Sequence, residues 1–312
     1  MSPESEGGKD FFLAPFFGIL YSSFFKSKFI PQKVGQLKYQ SSFIKSNDYL
    51  MEGREESLRL DQKTDPLAVE RQARWAGIKP GMRLADMGCG SGKTTSVLYS
   101  LVHPGGEAVG LDFAPSRYEF AQSHYASSGI RFLCRDVREP LDDLGSFDFI
   151  WVRFLLEYYL SSSFEIVKNI ARLLKPGGIL CLIDLDHNSL NYYPLPERLE
   201  KTLHGLAELV RVKADFDLWA GRKLYSFLYD LGFQDISVEV TAHNLIYGPL
   251  KETDAFNWIK KAEVAPQKIQ YGFPEYGGSY QEFFEEFSEF FRNTRRFTYT
   301  PLIACRGIKP LA

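Results

Sequence analysis

Apolar and polar positions follow two rhythms along this chain of 312 residues. From Leu84 onward, short apolar runs near 83–87, 107–111, 131–135, 147–152, 179–185, 235–242 and 297–305 alternate with stretches whose apolar residues recur at helical spacing. A strand buried on both faces has no polar side to alternate with. Such runs between helices therefore predict an α/β fold with a doubly wound, mostly parallel sheet of seven strands. In sheets of this kind ligands bind beyond the carboxyl ends of the strands, so residues just past each run are where chemistry is expected.

Two stretches, 187–215 and 243–295, are surplus to a minimal sheet of this kind. In the second, Phe283, Phe284, Phe287, Phe290 and Phe291 recur as one face of an amphipathic helix. The bland reading is a core stripe; the sharper one is an aromatic cap over a substrate, with the loop around Tyr192 and Tyr193 completing it. Residues 11–25, FFLAPFFGILYSSFF, are apolar, but the preceding segment is acidic on balance and no small-residue cleavage site follows. They are also too few to span a bilayer, so the expectation is an aromatic arm covering the active site, a partner copy in a homodimer, or a membrane surface. The organisation expected is thus an arm with lid helices over 1–75, a Rossmann-like core over 76–242, a helical cap over 243–295, and a final core strand over 296–312.

The chain carries a formal charge of −2, and this offers no polycationic face for a nucleic acid. Cys89, Cys134, Cys181 and Cys305 form no CxxC pair. Buried free thiols in a reducing, cytoplasmic setting account for them.

The stretch RLADMGCGSGKTT, residues 83–95, carries the strongest chemical signal. An apolar run ends at Asp86 and is followed by Gly88, Gly90 and Gly92, which reads as strand, tight turn and helix start. Backbone there can approach a ligand with no Cβ in the way, and the helix start presents unpaired N–H groups. A dinucleotide fingerprint would need glycine at Lys93, and a P-loop would need glycine at Met87, so each fails by one residue. Asp-x-Gly-x-Gly-x-Gly fits without adjustment. It resembles the cofactor loop of class I S-adenosylmethionine (SAM)-dependent methyltransferases, small-molecule enzymes of the UbiE-like type.

That resemblance covers roughly residues 49–242 and the last strand, and it implies roles for the strand ends. Asp112, twenty residues past Gly92, would accept from the ribose hydroxyls, with Phe113 beside it. Asp136 and Val137 would meet the adenine, and Arg153 would close the pocket. A helix before the first strand would cross the cofactor, with Arg59 pairing its carboxylate and Tyr49 touching substrate. The substrate-facing residues would then be Tyr49, Tyr192, Tyr193 and Phe287.

Methyl transfer needs alignment, desolvation and, for some acceptors, removal of a proton. The two candidate bases are His187, directly after the fifth strand, and Glu157, after the fourth. No HExxH or paired Cys/His spacing suggests a metal. The expected activity is metal-independent methyl transfer from SAM to a small apolar or aromatic acceptor, as in secondary metabolism. Two alternatives remain open: a SAM-binding, non-catalytic assembly subunit, and an aminopropyl transferase-like enzyme using another part of SAM.

Overall fold

The computed structural model describes residues 56–311. Tyr49, the aromatic arm and any pairing through it lie outside the described residues. The first elements are α1 (Glu56–Lys63) and α2 (Pro66–Ala76). The start of α2 is set by Asp65, whose side chain accepts from Leu67 N–H at 2.9 Å, with Pro66 pre-set for the first turn. Its end is set by Gly77 in a left-handed conformation, φ 98°.

The sheet then builds through β1 (Arg83–Met87), α3 (Lys93–Val102), β2 (Glu107–Asp112), α4 (Pro115–Tyr125), β3 (Ile130–Cys134), β4 (Phe147–Arg153), α5 (Ser163–Arg172) and β5 (Leu174–Leu185). There follow β6 (Tyr192–Tyr193), α6 (Glu197–Ala214), α7 (Leu224–Asp230), β7 (Gln234–Tyr247), α8 (Glu252–Ile269), α9 (Tyr280–Arg292) and β8 (Phe297–Ile308). Strand order is β3-β2-β1-β4-β5-β8-β6, with β7 paired along β8. β1 to β5 run parallel, while β8 is antiparallel to both β5 and β7. The order reverses between β1 and β4, which opens a crevice at their carboxyl ends.

Alternate residues of one strand serve opposite cores. Ile150 and Val152 of β4 pack with Leu180 and Leu182 of β5 on one face. Phe149 and Trp151 pack with Cys181 and Ile183 on the other, under α2 and α3. Each such buried side chain contributes roughly 1.5–3 kcal/mol, and a one-residue slip of either strand would invert both faces.

Two boundaries differ from the sequence expectation. β5 starts at Leu174, ahead of the apolar run expected near 179–185: Gly177 N–H donates to Lys309 O at 2.9 Å and Lys309 N–H to Gly178 O at 2.9 Å, so residues 174–178 are drawn into the sheet. β7 continues to Tyr247, because β8 goes on pairing with it as far as Phe297. The two-residue β6 adds an eighth strand.

The surplus segments form one cap. α6, α8 and α9 share a third core in which Phe283, Phe287, Phe290 and Phe291 meet Trp258, Leu206 and Phe216. Among the described residues no helix is long and apolar enough to cross a membrane.

Candidate active site

The glycine loop is pinned to the end of β2. Gly88 and Cys89 N–H both donate to Leu111 O at 2.8 Å, and Gly90 N–H donates to Asp112 Oδ2 at 3.0 Å. Gly88, Gly90 and Gly92 all hold positive φ, at 78°, 56° and 85°. Their surroundings differ. A Cβ on Gly90 would come within 3.3 Å of Leu60 Cδ1, on the α1 side of the crevice. On Gly92 it would strike Ala121 Cβ at 2.7 Å and Phe132 Cζ at 2.9 Å. Gly92 is therefore a packing glycine between α3, α4 and β3, and it does not line the crevice.

α1 is tied down across this loop. Lys93 Nζ donates to Asp61 O at 2.8 Å, and the Tyr125 hydroxyl donates to the Asp61 carboxylate. Arg59, Leu60 and Lys63 consequently form one wall of a first cavity, opposite Asp86, Gly88, Gly90, Asp112 and Phe113. Arg59 makes a bidentate pair with Glu56, 2.7 Å on each arm.

The acids at the strand ends are engaged. Asp86 is buried and accepts from Thr95 Oγ1 at 2.7 Å; burial pushes its carboxyl up to about 7. Asp112 accepts from Gly90 N–H, from Ala114 N–H at 3.0 Å and from Arg117 Nε at 2.9 Å. Asp136 accepts from Arg138 N–H at 2.9 Å and pairs with its guanidinium; Val137, and not Asp136, lines the cavity. Arg153 also lines it, with its guanidinium 4.1 Å above the Phe154 ring and a buried Nε that has no hydrogen-bond partner. Burial lowers Arg153 to about 10.

A second cavity lies under the cap. It shares Arg59, Lys63, Glu157, Tyr158 and Leu185 with the first, and its far wall is apolar, with Leu206, Val210, Phe216, Phe283 and Phe287. Glu157 sits at this junction. Asn188 Nδ2 donates to its Oε2 at 2.8 Å, and burial raises its carboxyl while Lys261 and Lys63 oppose that rise. Tyr192 reaches the second cavity, packing edge-on against Trp258 and Phe290, and burial pushes its hydroxyl up.

Besides Asp136, three candidates are not brought to either cavity. His187 adopts a left-handed conformation, φ 48°, and turns its ring onto Trp219, 6.3 Å between centroids. Its neighbour Asn188 takes the place at Glu157. Tyr193 is 71% exposed, because period-2 alternation sends it opposite to Tyr192. Gly92, as described, is a packing residue.

Sequence reasoning missed Lys63, Lys261 and His243. His243 lies within β7 and lines the first cavity, its ring 5.3 Å from Phe154. Burial, with Lys63, Arg153 and Lys261 adding to it, holds the imidazole neutral down to about 3. Lys261 sits over the Trp258 ring at 4.5 Å and donates to Ser189 Oγ at 3.2 Å. Among the described residues no cluster of three or more His, Cys, Asp or Glu is arranged to hold a metal.

Comparison with known proteins places this geometry. Residues 85–182 match the family described as a methyltransferase domain. A demethylmenaquinone methyltransferase of Lactococcus lactis is 33% identical over 123 residues, 38% of this chain and 47% of the relative. One from Staphylococcus aureus is 27% identical over 143 residues, 43% of this chain and 58% of the relative. The chain thus spans about half the length of the curated relatives it matches. A candidate methyltransferase of Bacillus halodurans shares the fold at TM-score 0.51 and 15% identity, covering 78% of this chain and 98% of that one. The YcgJ protein of Bacillus subtilis does so at 0.50 and 17%, covering 79% and 99%. Sheet order, glycine loop and crevice define a Rossmann-like methyltransferase fold. The methyltransferase-domain match over residues 85–182 and the similarity to these relatives support a class I SAM-dependent methyltransferase, with S-adenosyl-L-methionine as cofactor.

Proposed function

We propose that this protein transfers a methyl group from SAM to a small apolar or aromatic acceptor. The observation that carries the reading is the shared wall of the two cavities. Arg59, Lys63, Glu157, Tyr158 and Leu185 face a cofactor-sized crevice on one side and an apolar chamber on the other.

The residues present suit the cofactor. Gly88 and Gly90 leave backbone bare where an adenosyl group would lie, Asp112 and Phe113 stand at the end of β2, and Val137 offers an apolar surface to a base. Arg153, with its unpaired buried Nε, suits the carboxylate tail, since an orphaned donor in the interior is costly until an acceptor arrives. Arg59 would assist from above while remaining tied to Glu56. When bound, SAM supplies a methyl group on a positively charged sulfur. The protein's part is alignment and exclusion of water: the cap rings close the chamber, and Asn188 and Asp184 fix Glu157 at the junction. Glu157, with its raised carboxyl, is placed to hold or accept a proton there.

The names of the curated relatives, which refer to a demethylated menaquinone, are in keeping with an aromatic ring carrying an apolar body. An aminopropyl transferase would want carboxylates around a polyamine. Among the described residues lining the second cavity, Glu157 is the single carboxylate beside Lys63, Lys261 and Arg59. A labelled-methyl assay against phenolic and quinol acceptors tests the proposal. Transfer that depends on SAM and falls on truncation of Phe287 supports it, and SAM binding without transfer to any ring acceptor would contradict it.

A further inference from the structure

We infer that the acceptor is bound as an oxyanion, a phenolate, enolate or carboxylate on an apolar body, with its oxygen held between Lys63 and Lys261; this inference rests on the function proposed above. Among the described residues, three cations that line the joined cavities make no ion pair to a carboxylate: Lys63, Arg153 and Lys261. Cations inside a protein are normally paired, because removing a charge from water is costly. Arg153 stands on the glycine-loop side and is accounted for by the cofactor's carboxylate. Lys63 and Lys261 line the chamber side and have no such account.

The surroundings of Lys261 point to an incoming anion. Its ammonium is held by a neutral hydroxyl, Ser189 Oγ at 3.2 Å, and by the Trp258 ring face. Both orient it without neutralising it. The charged groups that face it are Lys63 and Arg59 from α1 and Glu157 from the segment after β4. Arg59 is already matched by Glu56, and Glu157 is a buried carboxyl that burial pushes toward its neutral form. What remains is two ammonium groups facing one junction. Burial and Lys63 lower Lys261 to about 7, and burial and Arg59 lower Lys63 to about 8. Lys63 is an exposed side chain and Lys261 a half-buried one, so the geometry carries the argument for Lys63 and burial weighs mainly on Lys261. An anion between the two would relieve the repulsion and restore both charges.

The same arrangement disfavours amine acceptors, whose cationic forms would meet two like charges. Beyond the junction the chamber wall is largely apolar, with Leu203, Leu206, Val210, Phe216 and Phe287. A ligand with one acidic oxygen at one end and hydrocarbon at the other matches this polarity. For a phenol, the proton lost on binding leaves to bulk water.

The test uses the full chain saturated with S-adenosylhomocysteine and 2-hexyl-4-nitrophenol, whose anion is yellow and whose neutral form is colourless. The bound probe is expected to titrate at least one pH unit below the free probe, a tenfold preference for the anion. Lys261→Met should abolish most of that shift and weaken binding about tenfold, while Lys261→Arg retains it. The corresponding nitroanisole, which cannot ionise, should bind wild type and Lys261→Met alike; circular dichroism of each variant guards against misfolding, and Lys63→Met provides a second, independent variant. Equal affinity for phenol and anisole, an unshifted titration, or no binding of either probe to the saturated protein would overturn the inference. Binding of S-adenosylhomocysteine, followed separately by calorimetry, tells failure of the cofactor reading apart from failure of the oxyanion reading.

Discussion

The Asp184 carboxylate accepts from the backbone N–H of Glu157 at 3.1 Å, so the end of β5 holds the segment after β4 at the junction of the two cavities. The same carboxylate accepts from Leu185 N–H at 2.8 Å, and Asp184 is fully buried. Burial and the nearby Glu157 raise its carboxyl well above the usual range. Asp184→Ala strands both N–H groups, and each unsatisfied buried donor costs roughly 1–3 kcal/mol. The expected result is a lower denaturant midpoint together with weakened acceptor use, since Glu157 loses its anchor. An unchanged midpoint would show that neither bond matters.

Asp86 gives stability a pH dependence whose sign is fixed by its raised carboxyl. Its ordinary value of 3.8 rises to about 7 in the folded chain, so the folded state binds the proton more tightly than the unfolded one. The stability from this group is complete below its unfolded value and is lost as pH rises toward 7. Asp86→Asn removes that dependence. The difference in unfolding midpoint between wild type and Asp86→Asn should therefore favour wild type at pH 4–5 and shrink by pH 8; a difference that grows with pH would contradict the assignment. His243, held neutral, works in the opposite direction as pH falls from 6.5 toward 3, and it cancels in this comparison because both proteins carry it.

Gly90 and Gly92 should separate binding from stability. Gly92→Ala drives a Cβ into Ala121 and Phe132 at positive φ, and overpacking of this kind costs about 1–3 kcal/mol. Melting should drop while the folded protein keeps its affinity for S-adenosylhomocysteine. Gly90→Val should do the reverse in emphasis, abolishing affinity with a smaller loss of melting temperature, because its side chain projects across the crevice toward Leu60. Calorimetry and melting run on both variants check the pair, and matching losses of affinity would show that Gly92 faces the ligand after all.

The register of the glycine loop was readable because it depends on neighbours in sequence: Asp86, Gly88 and Gly90 must follow a strand and precede a helix. The function of Gly92 was not readable, since its partners Ala121 and Phe132 arrive from α4 and β3. His187 was placed correctly at the end of β5, but a left-handed backbone turned it to Trp219 and brought Asn188 inward. His243 was hidden by an inverted pattern. In β7 the apolar Val238 and Val240 face outward, 48% and 63% exposed, so alternation of polarity pointed away from the side on which His243 meets Phe154. The aromatic stripe of α9 was legible as a face, and it is both the core of the cap and, through Phe283 and Phe287, a wall of the second cavity. Lys261 carried no signal, because nothing in its helix says that α8 will bring it beside Glu157.

Arg153 and Arg59 should contribute unequally to cofactor affinity. Arg153 has an unpaired donor in the crevice, whereas Arg59 already satisfies Glu56. Hydrogen bonds to charged groups contribute about 1.5–3 kcal/mol, so Arg153→Gln should weaken S-adenosylhomocysteine by tenfold or more. Arg59→Gln should weaken it less. Calorimetric titration of both variants decides this, and a larger loss at Arg59 would return the carboxylate to α1.

The most direct measurement is a crystal structure of the full chain with S-adenosylhomocysteine. The account predicts the adenosyl group against Gly88 and Gly90, the carboxylate at Arg153, and the sulfur at the wall shared with the second cavity, facing Glu157 and Tyr158. A ligand seated elsewhere, or with its sulfur turned away from the capped chamber, would contradict it.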